Sequence, residues 1–290
     1  MISPIGTNPS GPLGIVAGGG EVPLRVARAA QAAGRRVFVV ALSGWADPAA
    51  FSGLPHMVER IGAAGRILDR LRAEHVRQLV LTGRAPRPSL ASLRPDPTAL
   101  RLVGRLGRAF FGGDDGLLKA GARILEEEGF EIIPAHSILR DALPTSGLLT
   151  RAVPDAAARA DIARGIAVVR ALGAVDVGQC AVVQQGLVLG VEAIEGTDAL
   201  LARCLALRRE GPGGVLVKLV KPGQDRRLDL PTIGPVTVRG AAAAGLAGIA
   251  VEAGGTILVD RPVTIAAADQ AGLFLLALRP ATFNPTETIP

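Results

Sequence analysis

The stretch Leu228-Asp229-Leu230-Pro231-Thr232-Ile233-Gly234 sets one carboxylate between two leucines, in a segment that Pro231 keeps from continuing as helix. An unpaired buried charge is costly, so Asp229 must face solvent, a partner or a metal. Lys221 stands eight residues upstream and Lys218 is near it, and these are two of only three lysines in the chain. An acid with lysines at a loop is either a surface ion pair or a place for a metal and a phosphate.

Other candidates sit where loops enter helices. Gly18-Gly19-Gly20 follows a short apolar run and precedes a helical pattern, so its backbone amides and the helix N-terminus can meet an anion. It departs from the dinucleotide fingerprint, because Gly20 leads through Glu21 and Val22 to Pro23, and no acid follows the second strand at Leu42. Glu195-Gly196-Thr197-Asp198 is also pre-helical; Thr197 is placed to cap, or the free helix end to meet a phosphate. Asp114-Asp115 reads as capping and dipole compensation. No P-loop, HExxH, CxxC or GxSxG occurs. His56, His75 and His136 lack metal-ligand spacing, and Cys180 and Cys204 read as small buried groups in a strand and a helix.

The elements that must carry these residues alternate. Leu13–Ala17, Arg36–Leu42, Arg77–Leu81 and Glu131–Pro134 read as strands, with helices at Pro23–Ala33 and Ile67–Glu74 and, beyond a Pro-broken segment from Arg84 to Pro97, at Thr98–Phe110 and Asp115–Glu128. This βαβ rhythm predicts a parallel sheet with covering helices, a Rossmann-like domain over residues 12–139. Residues 140–154, with Leu143-Pro144-Thr145-Ser146-Gly147, read as a linker. A second, mixed α/β domain is expected over 155–280. It has helices at Asp155–Leu172, Asp198–Arg208, Gly240–Ala253 and Ala266–Ala271. Its strands are Cys180–Gln184, Leu187–Val191, Val215–Val220, Val236–Val238, Thr256–Val259 and Leu273–Leu278. Gln185-Gly186 marks a hairpin between the first two of them.

Composition narrows the function classes. A chain of 290 residues with 49% hydrophobic and 20% charged residues is expected to fold, in one large or two ordinary domains. Two cysteines exclude a disulfide framework. The net charge of +6 is carried almost wholly by arginine, which suits phosphates or an anionic surface as well as a GC-rich genome. With 3% aromatics and no dense basic stripe, nucleic acid is not the expected partner. No secretory signal or spanning segment is evident, so a cytoplasmic protein is expected.

Taken in order, Gly14-Ile15-Val16-Ala17-Gly18-Gly19-Gly20, Gly113-Asp114-Asp115, Asp176-Val177-Gly178-Gln179, Glu192 to Glu195-Gly196-Thr197-Asp198 and Asp229-Leu230-Pro231-Thr232-Ile233-Gly234 resemble the LpxI family of UDP-2,3-diacylglucosamine pyrophosphatases, over about Leu13 to Leu278. The resemblance implies Mg²⁺-dependent hydrolysis to 2,3-diacylglucosamine 1-phosphate and UMP in lipid A biosynthesis. It also implies two domains with the ligand between them and water directed at the α-phosphorus. The family's catalytic aspartate falls on Asp229, which either ligates Mg²⁺ or orients the water. On the same reading Lys218, Lys221 and Arg87 meet phosphate charge, and Gly18, Gly19 and Gly20 hold uridine or its phosphate. Thr82, Gly83, Gly178, Gln179, Glu195, Gly196, Thr197, Asp198 and Thr232 complete the expected substrate contacts. Three departures stand out: Cys180 where a small residue is expected, Arg84 where asparagine is more usual, and an extra stretch before Leu13.

A lipid-bearing substrate and the arginine surplus imply peripheral contact with the cytoplasmic face of the inner membrane, and a homodimer is the common default. The competing class is a non-catalytic sugar-nucleotide or lipid-binding regulator, told apart by ligand-induced stabilisation without UMP release. An NAD(P)-dependent oxidoreductase is a third reading.

Overall fold

The computed structural model describes residues 11–85, 93–106, 113–139 and 141–287. The chain divides into two compact units, the first holding residues up to Leu139 together with Arg227–Asp229, the second holding the remainder.

The first unit is built on a parallel sheet of order β3-β2-β1-β4-β5, with β1 at Leu13–Ala17, β2 at Val37–Leu42, β3 at His56–Glu59, β4 at Gln78–Thr82 and β5 at Glu131–Ile132. Every residue of β2, VFVVAL, is buried, as expected of a parallel strand covered on both faces. Helix α1 (Val22–Ala32) carries Pro23 in its first turn, where a missing N–H costs nothing. Helices α2 (Ala64–Ala73), α3 (Pro97–Leu106) and α4 (Asp114–Glu127) follow, and α5 (Ala135–Ile138) closes the unit. Phe38, Leu71 and Leu79 are among the side chains of the core cluster that also takes in Leu228, from the Arg227–Asp229 segment.

The second unit carries a mixed sheet of order β6-β13-β11-β9-β7-β8. Strands β9 (Val215–Lys218), β11 (Gly248–Glu252) and β13 (Phe274–Leu278) are parallel. Strands β7 (Cys180–Gln184) and β8 (Leu187–Val191) extend it antiparallel on one side, and β6 (Gly147–Leu148) on the other. The β7–β8 turn has positive φ at both Gln185 and Gly186, the backbone a tight hairpin needs. Buried Asp161 accepts from the Gln185 and Gly186 amides at 2.9 and 2.6 Å and pins that turn to α6 (Ala156–Ala174). Residues 140–154, read as linker, fall within this unit where they are described, and Gly147–Leu148 pairs with β13. Helices α7 (Thr197–Leu205), α8 (Pro235–Ala243) and α9 (Arg261–Gln270) alternate with the strands, and a short parallel pair joins β10 (Thr232–Ile233) to β12 (Ile257–Leu258).

Two expected elements differ. Val236–Val238 is the first turn of α8 rather than a strand, because Gly234 and Pro235 start a helix there despite the β-branched residues. The helix expected from Gly240 to Ala253 stops early. Gly245, at φ +68°, takes the left-handed position after the helix while its amide bonds the Ala242 carbonyl, and the buried run Gly248–Glu252 is β11. Among the described residues no helix is long and apolar enough to cross a membrane.

Candidate functional site

The glycine loop of the first unit is held by its own chain. Gly18 N–H donates to the Thr82 carbonyl at 2.9 Å, and Gly19 exchanges backbone bonds with Arg84 at 2.8 Å in both directions. A methyl group on Gly18 would lie 2.5 Å from the Arg84 carbonyl oxygen, and one on Gly83, at φ +94°, 2.8 Å from the Gly18 carbonyl carbon. Gly18, Gly19, Thr82 and Gly83 are thus brought together, but the Gly18 and Gly19 amides already serve carbonyls. Gly20 is exposed and leads into α1. The Arg84 contact uses backbone only, so the unusual side chain at that position leaves the loop intact.

In the second unit the expected residues converge on a carboxylate that the residue-by-residue reading passed over. Lys218, at the end of β9, is 5% exposed, and its ammonium donates to the Thr197 hydroxyl at 2.7 Å and to the Thr232 carbonyl at 3.1 Å. Thr197 in turn donates to Glu192 Oε1 at 2.6 Å, and Glu192 Oε2 accepts from the Gln179 amide at 3.3 Å. Three buried polar side chains satisfy one another, which is what burial of a lysine and a glutamate demands. The Thr197 hydroxyl therefore links Lys218 to Glu192 instead of capping α7. Gly196, at φ +81°, takes the N-cap position, a backbone state that favours glycine. Gly178 lies so close to the Glu192 carbonyl that no side chain fits there. The signal for Glu192 was its place directly after a strand and five residues before Thr197, and only the fold shows that β9 delivers Lys218 to the same point.

Burial pushes the Cys180 thiol far above its ordinary value, against the opposing pull of the Lys218 charge, so Cys180 is a neutral core group. Glu195 and Asp198 lie outside the buried network and are exposed. Hydrogen bonds from its own amide, and then from Arg203 and the Ala193 amide, hold the Glu195 carboxyl below the usual range. Lys221 pairs with Asp176. Asp229 is exposed and grouped with the first unit, where neighbouring Arg227 pairs with Glu126 at 2.7 Å. Arg87 lies outside the described residues. Among the described residues no three His, Cys, Asp or Glu side chains gather as a metal-binding group.

A parallel α/β unit with a glycine loop, followed by a mixed α/β unit built around a buried Glu–Thr–Lys chain, defines a two-domain α/β protein. Residues 12–142 match the model of the LpxI N-terminal domain and residues 145–276 that of the LpxI C-terminal domain. The chain is 43% identical over 274 residues to UDP-2,3-diacylglucosamine pyrophosphatase LpxI of Caulobacter vibrioides, covering 92% of this chain and 98% of that protein. A solved structure, UDP-glucose 4-epimerase of Thermus thermophilus complexed with NAD, aligns over 96% of this chain and 89% of its own, at 15% identity and a TM-score of 0.31. The chain belongs to the LpxI family.

Proposed function

We propose that this protein hydrolyses the diphosphate of UDP-2,3-diacylglucosamine, giving 2,3-diacylglucosamine 1-phosphate and UMP, in lipid A biosynthesis. The observation that carries the reading is the relationship to the Caulobacter enzyme along nearly the whole of both chains. A hydrolase acting on a diphosphate follows from the same relationship.

The reaction needs charge neutralised on two phosphates and a water aligned with the bond that breaks. Mg²⁺ keeps several waters and takes one or two carboxylates with substrate oxygens, so the exposed carboxylate of Asp229 suffices on the protein side. An ion held there would neutralise part of the diphosphate charge. Asp229 either holds the ion or accepts a proton from the attacking water; both roles require an accessible carboxylate. Lys218 works inside the fold, fixing Thr197 at the head of α7 and the Thr232 carbonyl, three residues past Asp229. Arg87 contributes positive charge toward phosphate, Lys221 does so only in company with its Asp176 partner, and the Gly20 end of the glycine loop faces uridine or its phosphate. A substrate with acyl chains brings the protein to the cytoplasmic face of the inner membrane as a peripheral contact.

Incubation of the purified protein with UDP-2,3-diacylglucosamine and Mg²⁺ tests the reading. UMP and 2,3-diacylglucosamine 1-phosphate are expected in equal amounts. Thermal stabilisation by the substrate without UMP release would instead mark a binding protein.

A further inference from the structure

The parallel strands of the second unit end at a cavity of about 510 Å³ that includes, of the expected site residues, only Lys221. Its wall draws on Arg170 from α6, Lys221 and Arg226 from the segment after β9, Glu252 at the end of β11 and Arg279 just past β13. The position is a common one for ligands, since the carboxyl ends of parallel strands leave a crevice between their outgoing loops.

The charges in this wall are not balanced. Lys221 is neutralised by Asp176, and Arg226 by Glu252 at 2.6 Å. Glu252 is further committed through Oε2, which accepts the Val220 amide at 3.2 Å. Arg170 and Arg279 are exposed guanidiniums with no ion pair or hydrogen bond among the described residues. Arg170 is not needed to cap its own helix. The Leu172 carbonyl already accepts from the Val175 and Val177 amides, and the Gly173 carbonyl from the Asp176 amide, at 3.1–3.2 Å. Gly173 packs against Pro222 and Lys221 too closely to admit a side chain without displacement.

Two uncompensated guanidiniums in a concave site match the charge of a phosphate monoester, close to −2 at neutral pH. No aromatic side chain lines the cavity among the described residues, so the geometry offers no platform for a base. We infer that this cavity, with Arg170 and Arg279 as its uncompensated charges, binds a phosphomonoester group, carried by a soluble sugar phosphate or by a lipid headgroup. The inference stands on the second unit alone and does not depend on hydrolysis.

The test uses the full chain and the double variant Arg170→Gln/Arg279→Gln, with no diphosphate substrate present. Both positions are exposed and unpartnered, so the variant is expected to melt at the wild-type temperature in chloride buffer. Calorimetric titration with glucose 1-phosphate, and co-sedimentation with phosphatidylcholine vesicles with and without phosphatidate, read the two sources. A drop of at least about 10-fold in affinity for glucose 1-phosphate in the variant supports the site with a soluble ligand. A similar loss confined to phosphatidate vesicles supports it with a headgroup. Wild type that binds neither probe, or a variant that binds both as well as wild type, overturns it. Should the variant melt below wild type, the single variant Arg279→Gln, which removes one of the two charges, is titrated in its place, and unchanged binding by that protein likewise overturns the assignment.

Discussion

Lys218 and Thr232 lie fourteen residues apart, yet the ammonium of the first donates to the carbonyl of the second at 3.1 Å while also holding the Thr197 hydroxyl at 2.7 Å. One buried cation thus fixes the head of α7 and the chain that follows Asp229. Its charge is balanced through Thr197 by Glu192. A lysine at the end of a sheet strand reads as a phosphate ligand when only sequence is in view; here the fold turns most of its donors inward.

Breaking that chain is expected to cost stability. Lys218→Met leaves Glu192 buried without its counter-charge and should destabilise by about 2–4 kcal/mol in urea denaturation. Thr197→Val removes the linking hydroxyl at a cost of about 1–3 kcal/mol. The two changes remove one shared interaction, so the double variant should fall short of their sum by roughly 0.5–3 kcal/mol. Strict additivity would mean that the residues act separately.

Asp229 is expected to behave differently. It is exposed and asparagine keeps its size and shape, so Asp229→Asn should remain folded while hydrolysis drops at least about 100-fold. Near-native turnover by the folded variant would remove Asp229 from the reaction.

The glycine loop gives a steric prediction. Gly18→Ala drives a methyl group to 2.5 Å from the Arg84 carbonyl oxygen, backbone that cannot rotate away. A loss of about 1–3 kcal/mol is expected, with a matching fall in melting temperature. Gly20→Ala meets no atom but sits at φ +94°, so its penalty is conformational, of order 1 kcal/mol.

Much of the architecture is legible in local pattern. The hairpin at Gln185-Gly186 and the buried run VFVVAL follow from turn chemistry and from parallel-strand burial, and both lie within a residue of where the pattern puts them. The stretch Pro235-Val236-Thr237-Val238 misleads, because β-branched residues suggest a strand whereas Gly234 and Pro235 set a helix start. An Ala/Gly-rich run without polar punctuation likewise hides the stop at Gly245. Strand β6 is two residues long and pairs with β13 near residue 277, so no local window contains its partner. The site divides in the same way. Asp229, Thr197, Lys218 and Thr232 stand out by type and motif. That Glu192 joins Thr197, Lys218 and Thr232 is a long-range fact, set by β7 and β9 lying side by side.

Both thiols are pushed up by burial, Cys180 most strongly. A raised folded-state value means the native protein keeps its thiol proton where the unfolded chain has lost it. The contribution is therefore complete below the unfolded thiol value, about 8.5, and declines as pH rises above it. The stability advantage of wild type over Cys180→Ala should shrink between about pH 8 and pH 9.5, by up to about 1.4 kcal/mol per pH unit. An advantage that grows over that range would place a thiolate in the native core. Native Cys180 is also expected to resist alkylation until urea unfolds the chain.

The proposed reaction is tested most directly by hydrolysis of UDP-2,3-diacylglucosamine in ¹⁸O-enriched water with Mg²⁺, resolving the phosphorus-containing products by mass. One ¹⁸O atom is expected in UMP and none in 2,3-diacylglucosamine 1-phosphate, as attack at the α-phosphorus requires. Label in the lipid phosphate would contradict that attack, and intact substrate after prolonged incubation of folded protein would contradict the hydrolytic reading itself.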